Sequence, residues 1–175
     1  MNPAITRRAA LAGTASLLSG CGFHPLYAPA DTGAAQVELA AIFVPVIPEH
    51  AGQLLRQALQ QRLEGPGLGE AKRYELTVGF GVAADAIAIR PDSTASRIRV
   101  IGNAPWNLKT IGLTPQPLTT GQAHAVDGYN IIDQQYFASE LEFETVIQRI
   151  AETVADQIVT KLAIFFRHRA ETQKT

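Results

Sequence analysis

Residues 97–109 read Arg97-Ile98-Arg99-Val100-Ile101-Gly102-Asn103-Ala104-Pro105-Trp106-Asn107-Leu108-Lys109. Ile98, Val100, Trp106 and Leu108 share one parity, and Arg97, Arg99, Asn103, Asn107 and Lys109 share the other. Successive side chains of a strand point to opposite faces, so this spacing predicts a β-strand with one apolar face and one basic, polar face. Gly102 and Pro105 predict a break within it, because proline has no N–H to give a ladder. A sheet built on this strand has one face to cover and one that meets water or a partner.

Before it, Tyr74, Leu76, Val78, Phe80 and Val82 alternate with Glu75, Thr77, Gly79 and Gly81, a half-buried strand. Ile87 and Ile89 fall out of phase with that set, which predicts a bulge or bend near Ala83-Ala84-Asp85. Arg90-Pro91-Asp92-Ser93 reads as a turn, as does Thr114-Pro115-Gln116-Pro117. Leu118 to Ile131 is a further strand, with Ala123, Ala125, Tyr129 and Ile131 on one side and Gln122, His124 and Val126 on the other.

Two amphipathic helices are available to cover the apolar face. Ala51, Leu54, Leu55, Ala58, Leu59 and Leu63 form a stripe within Glu49–Leu63, which Gly65-Pro66-Gly67 stops. Phe143, Val146, Ile147, Ile150, Val154, Ile158, Leu162 and Phe165 form a longer one. Ser139-Glu140-Leu141-Glu142 predicts its capping box, with Arg167, His168 and Arg169 at the negative end of its dipole. Ahead of both, Gln36 to Ile47 is apolar and rich in β-branched residues, and Val37, Leu39, Ile42, Val44 and Val46 predict a first strand. Pro45 and Pro48 put that strand at an edge or near its end. The expected order is β-α-β-β-β-α. It describes an α+β, two-layer sandwich, with two helices packed on one face of a four-stranded, mostly antiparallel sheet.

The first residues have the organisation of an export signal. Arg7 and Arg8 precede an apolar run, Ala9 to Leu18, that is well short of the ~20 residues of a membrane span. Leu18-Ser19-Gly20-Cys21 is similar to a lipobox, and Cys21 is the only cysteine among 175 residues. Residues 1–20 are therefore expected to be cleaved and Cys21 to carry S-diacylglycerol and an N-acyl chain. Two or more chains hold a protein stably in a leaflet. Residues 21–34 are then an acylated tether, 35–169 the folded domain and 170–175 a frayed tail. Thr6-Arg7-Arg8 also resembles a twin-arginine signal without its usual aromatic residue, so Sec and Tat export both stay open.

Composition narrows the function. The net charge is −1, and removing Arg7 and Arg8 makes it −3, so no general affinity for nucleic acid follows. The four histidines, His24, His50, His124 and His168, are far apart and the lone cysteine has no partner, so neither a metal nor another cofactor is expected beyond the lipid on Cys21. The chain has no G-x-S-x-G, H-E-x-x-H or glycine-rich phosphate loop. Asp85 and Asp92 fall at expected bends, where aspartate is common for its local hydrogen bonds. A non-enzymatic protein is the expectation. Arg97, Arg99 and Lys109 on one strand face are either a solvated surface or a set for one anionic group, since guanidinium forks suit phosphate.

Cys21-Gly22-Phe23-His24-Pro25-Leu26-Tyr27 resembles the opening of the LptE family of LPS-assembly lipoproteins, in its alphaproteobacterial form. The resemblance continues through Thr94-Ala95-Ser96-Arg97, Trp106-Asn107-Leu108, Gly121, Tyr129-Asn130 and Tyr136-Phe137-Ala138. It closes on Arg149-Ile150-Ala151-Glu152 and Ala155-Asp156-Gln157-Ile158. Pro105 and the twin arginine depart from the family pattern. The resemblance implies a lipid-anchored protein on the periplasmic side of the outer membrane, as Gly22 after the anchor also favours. It further implies a plug that helps assemble an LptD-type β-barrel and binds lipopolysaccharide on its way to the surface. Arg97, Arg99 and Lys109 are then candidates for contact with lipid A or core phosphates. A different class, an auxiliary lipoprotein of a lipid-transport ABC system, would bind an inner-membrane complex; a periplasmic hydrolase would need a nucleophile set that the sequence lacks.

Overall fold

A computed structural model of the protein describes residues 32–64, 71–89, 95–131 and 136–172. The signal segment 1–20, Cys21, most of the tether, the Gly65-Pro66-Gly67 stop, the Arg90–Ser93 turn and residues 173–175 lie outside the described residues. The elements run α1 Thr32–Ala40, β1 Ile42–Phe43, α2 Glu49–Leu63, β2 Tyr74–Val78, β3 Gly81–Ile89, β4 Ala95–Thr110, β5 Pro117–Asn130 and α3 Tyr136–Thr172.

β4 is the spine. One of its edges pairs antiparallel with β5, from Arg97 opposite Asn130 to Lys109 opposite Pro117. The other carries β2 and β3 end to end, from Tyr74 opposite Thr110 to Val78 opposite Trp106, then from Gly81 opposite Asn103 to Ile89 opposite Ala95. β1 adds to β2 in parallel. The sheet thus has five strands where four were expected, because the Tyr74–Ile89 run divides at Gly79-Phe80.

Pro105 accounts for that division. β4 passes through it unbroken, contrary to the expected interruption at Gly102 and Pro105. The Gly79 N–H donates to the Pro105 carbonyl at 2.9 Å, so the proline ring nitrogen lies on the same edge and has no hydrogen to offer. The gap appears in the neighbour. The phase change also lies later than expected, with register shifts after Ala86 and Ala88, and Asp85 sits inside β3 and not at a bend.

The N-terminal part of the domain corrects the sequence reading most. Gln36–Ala40 belongs to a helix, and only Ile42–Phe43 of the expected Gln36–Ile47 strand is extended and paired. Ala35 and Leu39, four apart, are buried in α1, while Val37 is 43% exposed. Alanine, glutamine, glutamate and leucine are good helix formers, and a four-residue repeat of burial there outweighs one β-branched valine. Glu38 ties this helix to β2, accepting from Tyr74 Oη at 2.6 Å and pairing with Arg73 at 3.1 Å. Burial and then the bond to Glu38 raise the Tyr74 pKa. β1 is an edge strand beside Pro45, as the prolines imply.

α2 and α3 cover one face. Leu55 and Leu59 of α2, Leu76 of β2, Val100 and Leu108 of β4, and Ile150, Val154, Ile158 and Leu162 of α3 are fully or almost fully buried. Each such aliphatic side chain contributes about 1.5–3 kcal/mol. Arg62 and Asp156 join the two helices through two hydrogen bonds of 2.5 and 3.1 Å. α3 starts at Tyr136, so Ser139 lies inside the helix and not at its cap. Glu142 and Glu144 consequently fall beyond the first turn, where the dipole acts. α3 also runs on to Thr172, through part of the tail expected to fray. Among the described residues no helix is long and apolar enough to cross a membrane.

Where α3 crosses the sheet, the sheet residues are small: Gly102, Ala104, Ala123 and Ala125 are all buried. A Cβ at Gly102 would collide with Ile150, and one at Gly121 would come within 2.5 Å of the Trp106 ring. α3 also guards the outer edge of β5. The Gln157 side chain accepts from His124 N at 3.3 Å and donates to His124 O at 2.9 Å, and Lys161 donates to the Gln122 carbonyl. Arg149 closes on Asp127 at 2.7 Å. Burial raises the Asp127 pKa, but the bonds from Arg149 and the Gly128 amide outweigh it and hold the carboxyl below its usual 3.8.

Gly102→Ala should lower stability by about 1–3 kcal/mol through overpacking, seen as a lower urea midpoint at unchanged slope. Adding Ile150→Ala should cost less than the sum of the two single changes, because each variant alters the same contact. The depressed Asp127 pKa gives a bridge that is fully present above the ordinary carboxylate pKa of 3.8 and is lost as pH falls through the lower folded value. Asp127→Asn should therefore be less stable than the parent at neutral pH and equal to it in strong acid, measured by denaturant titration across pH.

Candidate functional site: the open face of the sheet

The face opposite the helices is uncovered by any described residue. Directly opposed residues of antiparallel strands share a face, so the register arranges this surface in rows. Arg97 stands between Ala88 and Asn130, and Arg99 between Asp85 and Gly128. The next row is Ala83, Ile101 and Val126, of which Val126 is 56% exposed. Beyond lie Asn103 with His124, then Asn107 between Thr77 and Thr120, and last Lys109 beside Glu75.

The three cations expected on one face are on one face, but they are not together. Arg97 and Arg99 are two residues apart at one end of β4. Lys109 is ten residues beyond Arg99 along an unbroken strand, about 33 Å at 3.3 Å per residue. The sequence suggested a shared anion because all three fall on one strand face; the length of the continuous strand separates them along that face.

Their electrostatics differ too. Arg99 Nη2 is 3.2 Å from Asp85 Oδ2, and Lys109 Nζ is 3.0 Å from Glu75 Oε1, both cross-strand pairs at the surface. Such exposed pairs add about 0–1 kcal/mol, yet each cancels a cation locally. Among the described residues the Arg97 side chain has neither hydrogen bond nor ion pair. Among the described residues of the open face, Arg97 therefore keeps an uncompensated positive charge, whereas Arg99 and Lys109 are each compensated by a carboxylate. Asp85, expected at a bend, is a partner of Arg99; Asp92 lies outside the described residues. The alternation of residues 74–109 shows which face these charges occupy, but their pairing needs the register that Pro105 sets.

A groove of about 360 Å³ lies on the other side of β5, against α3, lined by His124, Val126, Asp127, Arg149, Thr153 and Gln157 among others. The Arg149–Asp127 bridge and the Gln157–His124 hydrogen bonds bound it. Its polar groups are thus largely engaged in holding α3 to the sheet edge.

The arrangement has known counterparts. A lipoprotein structure from Caulobacter crescentus CB15 is 21% identical over 77% of this chain and 96% of its own, with a TM-score of 0.60. Rare lipoprotein B from Shewanella oneidensis is 16% identical over 70% of this chain and 91% of its own, with a TM-score of 0.51. Lipoprotein B from Nitrosomonas europaea is 12% identical over 71% and 81%, with a TM-score of 0.52. These likenesses establish the fold. No curated protein matches the chain. A family model described as LptE, Lipopolysaccharide-assembly, matches residues 39–162, from the end of α1 through most of α3. The chain belongs to the LptE family.

Proposed function

We propose that this protein is a lipoprotein of the outer membrane, acylated at Cys21, that plugs and helps assemble an LptD-type β-barrel and binds lipopolysaccharide during delivery to the cell surface. It acts as a non-enzymatic binding protein, with no cofactor beyond its own anchor. The observation that carries the ligand reading is the juxtaposition on the open face of the Arg97–Arg99 rows and the apolar Ala83–Ile101–Val126 row. A phosphorylated glycolipid presents the complementary pair, anionic phosphates beside hydrocarbon. Arg97, with no competing carboxylate among the described residues, is the first contact for phosphate. Arg99 can turn its remaining donors to the same group without leaving Asp85. Lys109 belongs to the far end of the face and contributes little to that ligand. The uncovered polar sheet face likewise suits a protein that lies against a partner's wall.

Arg97→Ala and Arg99→Ala should each weaken lipopolysaccharide binding about tenfold, the equivalent of a charge-assisted bond of ~1.5 kcal/mol, and the loss should shrink at high salt. Lys109→Ala should change binding little. Equal losses at all three positions, or none, would refute the assignment. Detergent pull-down of the acylated protein should recover a large β-barrel in near one-to-one amount. Recovery of an ATPase and permease in its place would move the protein to the ABC-transport class.

A further inference from the structure

The β4–β5 connection does not hide its apolar residues. Ile111 is 47% exposed and Leu113 is 107% exposed, and every residue from Ile111 to Pro117 is exposed. The tip is nevertheless built firmly. Thr110 N donates to Gln116 O at 3.0 Å, Gln116 N donates to Thr110 Oγ1 at 2.9 Å, and Ile111 N donates to Arg73 O at 2.8 Å. These bonds close the neck of the hairpin and tie it to the chain entering β2. Isolated exposed leucines are ordinary on proteins, whereas two aliphatic side chains on a braced, projecting tip present a directed apolar point.

Cations surround the base of this tip. Arg73 is bonded to it, Lys109 lies two residues before it, and Lys72 donates to Ala40 O at 2.9 Å beside Arg73. Arg169 acts electrostatically on Tyr74, whose ring meets Phe166 at 5.2 Å, so the last turns of α3 lie at the same end. The carboxylates described here are Glu38, shared by Arg73 and Tyr74, and Glu75, taken by Lys109; Glu171 at the end of α3 is within 3.5 Å of His168. Among the described residues, Lys72 and Arg169 form no ion pair with a carboxylate.

The chain also enters the domain here. The Ala41 carbonyl, just after α1, accepts from Arg73 N at 2.8 Å. α1 is about 14 Å long at 1.5 Å per residue, and the eleven residues back to Cys21 span at most ~40 Å.

We propose that the Ile111–Leu113 tip is a second membrane contact, inserting into the interfacial layer of an anionic leaflet while Lys72 and Arg169 meet its phosphate headgroups. This rests on the acylation of Cys21 only for delivery to the membrane. Two aliphatic side chains are too few to hold the protein alone; with the anchor they fix which end of the domain faces the lipid.

The test places an environment-sensitive nitrobenzoxadiazole probe on Leu113→Cys in the full acylated protein, reconstituted in phosphatidylethanolamine–phosphatidylglycerol vesicles. Asn103→Cys, midway along the open face, is the comparison. The expected result is blue-shifted, brighter emission at position 113 that a lipid-borne quencher suppresses, with position 103 still in water. Replacing phosphatidylglycerol by phosphatidylcholine should reduce the shift, as should raising the salt. Water-like emission at both positions overturns the proposal, and so does a shift at 113 that requires a co-purified β-barrel, which would make the tip a protein contact. Intact mass of the same sample reports acylation of Cys21 separately, so failure of the anchor and failure of the tip are told apart.

Discussion

The close seating of α3 on β4 and β5 is the contact on which the rest of this molecule depends. It is made possible by what the sheet lacks. Gly102, Ala104, Ala123 and Ala125 lower the sheet surface along the path of the helix, and Ile150 occupies the space that a side chain at 102 would need. Dispersion falls steeply with separation, so a helix held farther out would lose contacts along its whole buried stripe. The same proximity brings Arg149, Gln157 and Lys161 within reach of the backbone and side chains of β5. Packing and edge protection are therefore a single arrangement.

Pro105 has the second organising role, through a hydrogen bond that cannot be made. Because β4 continues past it, the strand is long enough to pair with two strands on one side. That length separates the charges of the open face into a cationic end and a neutral one, and places an apolar row between the arginines and the asparagines. The chemical character of the face is thus set by backbone geometry as much as by composition. A local positive charge on an acidic chain is possible only because Arg97 has no carboxylate opposite it, where Arg99 and Lys109 do.

Much of this was legible in the sequence because burial repeats with the period of the element. Leu55, Leu59 and Leu63, and Val146 through Leu162, lie where helical spacing puts them, and α2 has the bounds read from its stripe and stop. β5 also follows its alternation, with Ala123 and Ala125 inside and His124 outside. Periodicity failed where a few residues had to decide. In Gln36–Ile47 the valines and isoleucines suggested extension, but the deciding facts are the burial of Ala35 and Leu39 and the grip of Glu38 on Tyr74, which are tertiary. At Pro105 the consequence falls on the neighbouring strand. The rule that proline leaves a gap holds, and the gap is in the neighbour. The cationic site was legible as to face and illegible as to distance, since alternation says which side a residue occupies and nothing about whether a strand is whole.

The free borders of the sheet have been treated unequally. β1 is two residues long and runs into Pro45, and β5 has its outward groups engaged by a helix. Among the described residues β3 has neither device. Over Gly81–Asp85 it is regular, largely exposed, free of proline and lysine, and composed of glycine, valine and alanine with a single acid. A border of that kind offers a ready template to any extended chain of small residues. The protein is thus closed to growth on two sides and open on a third. That gives the sheet a direction: among the described strands, a further strand would be added beside β3.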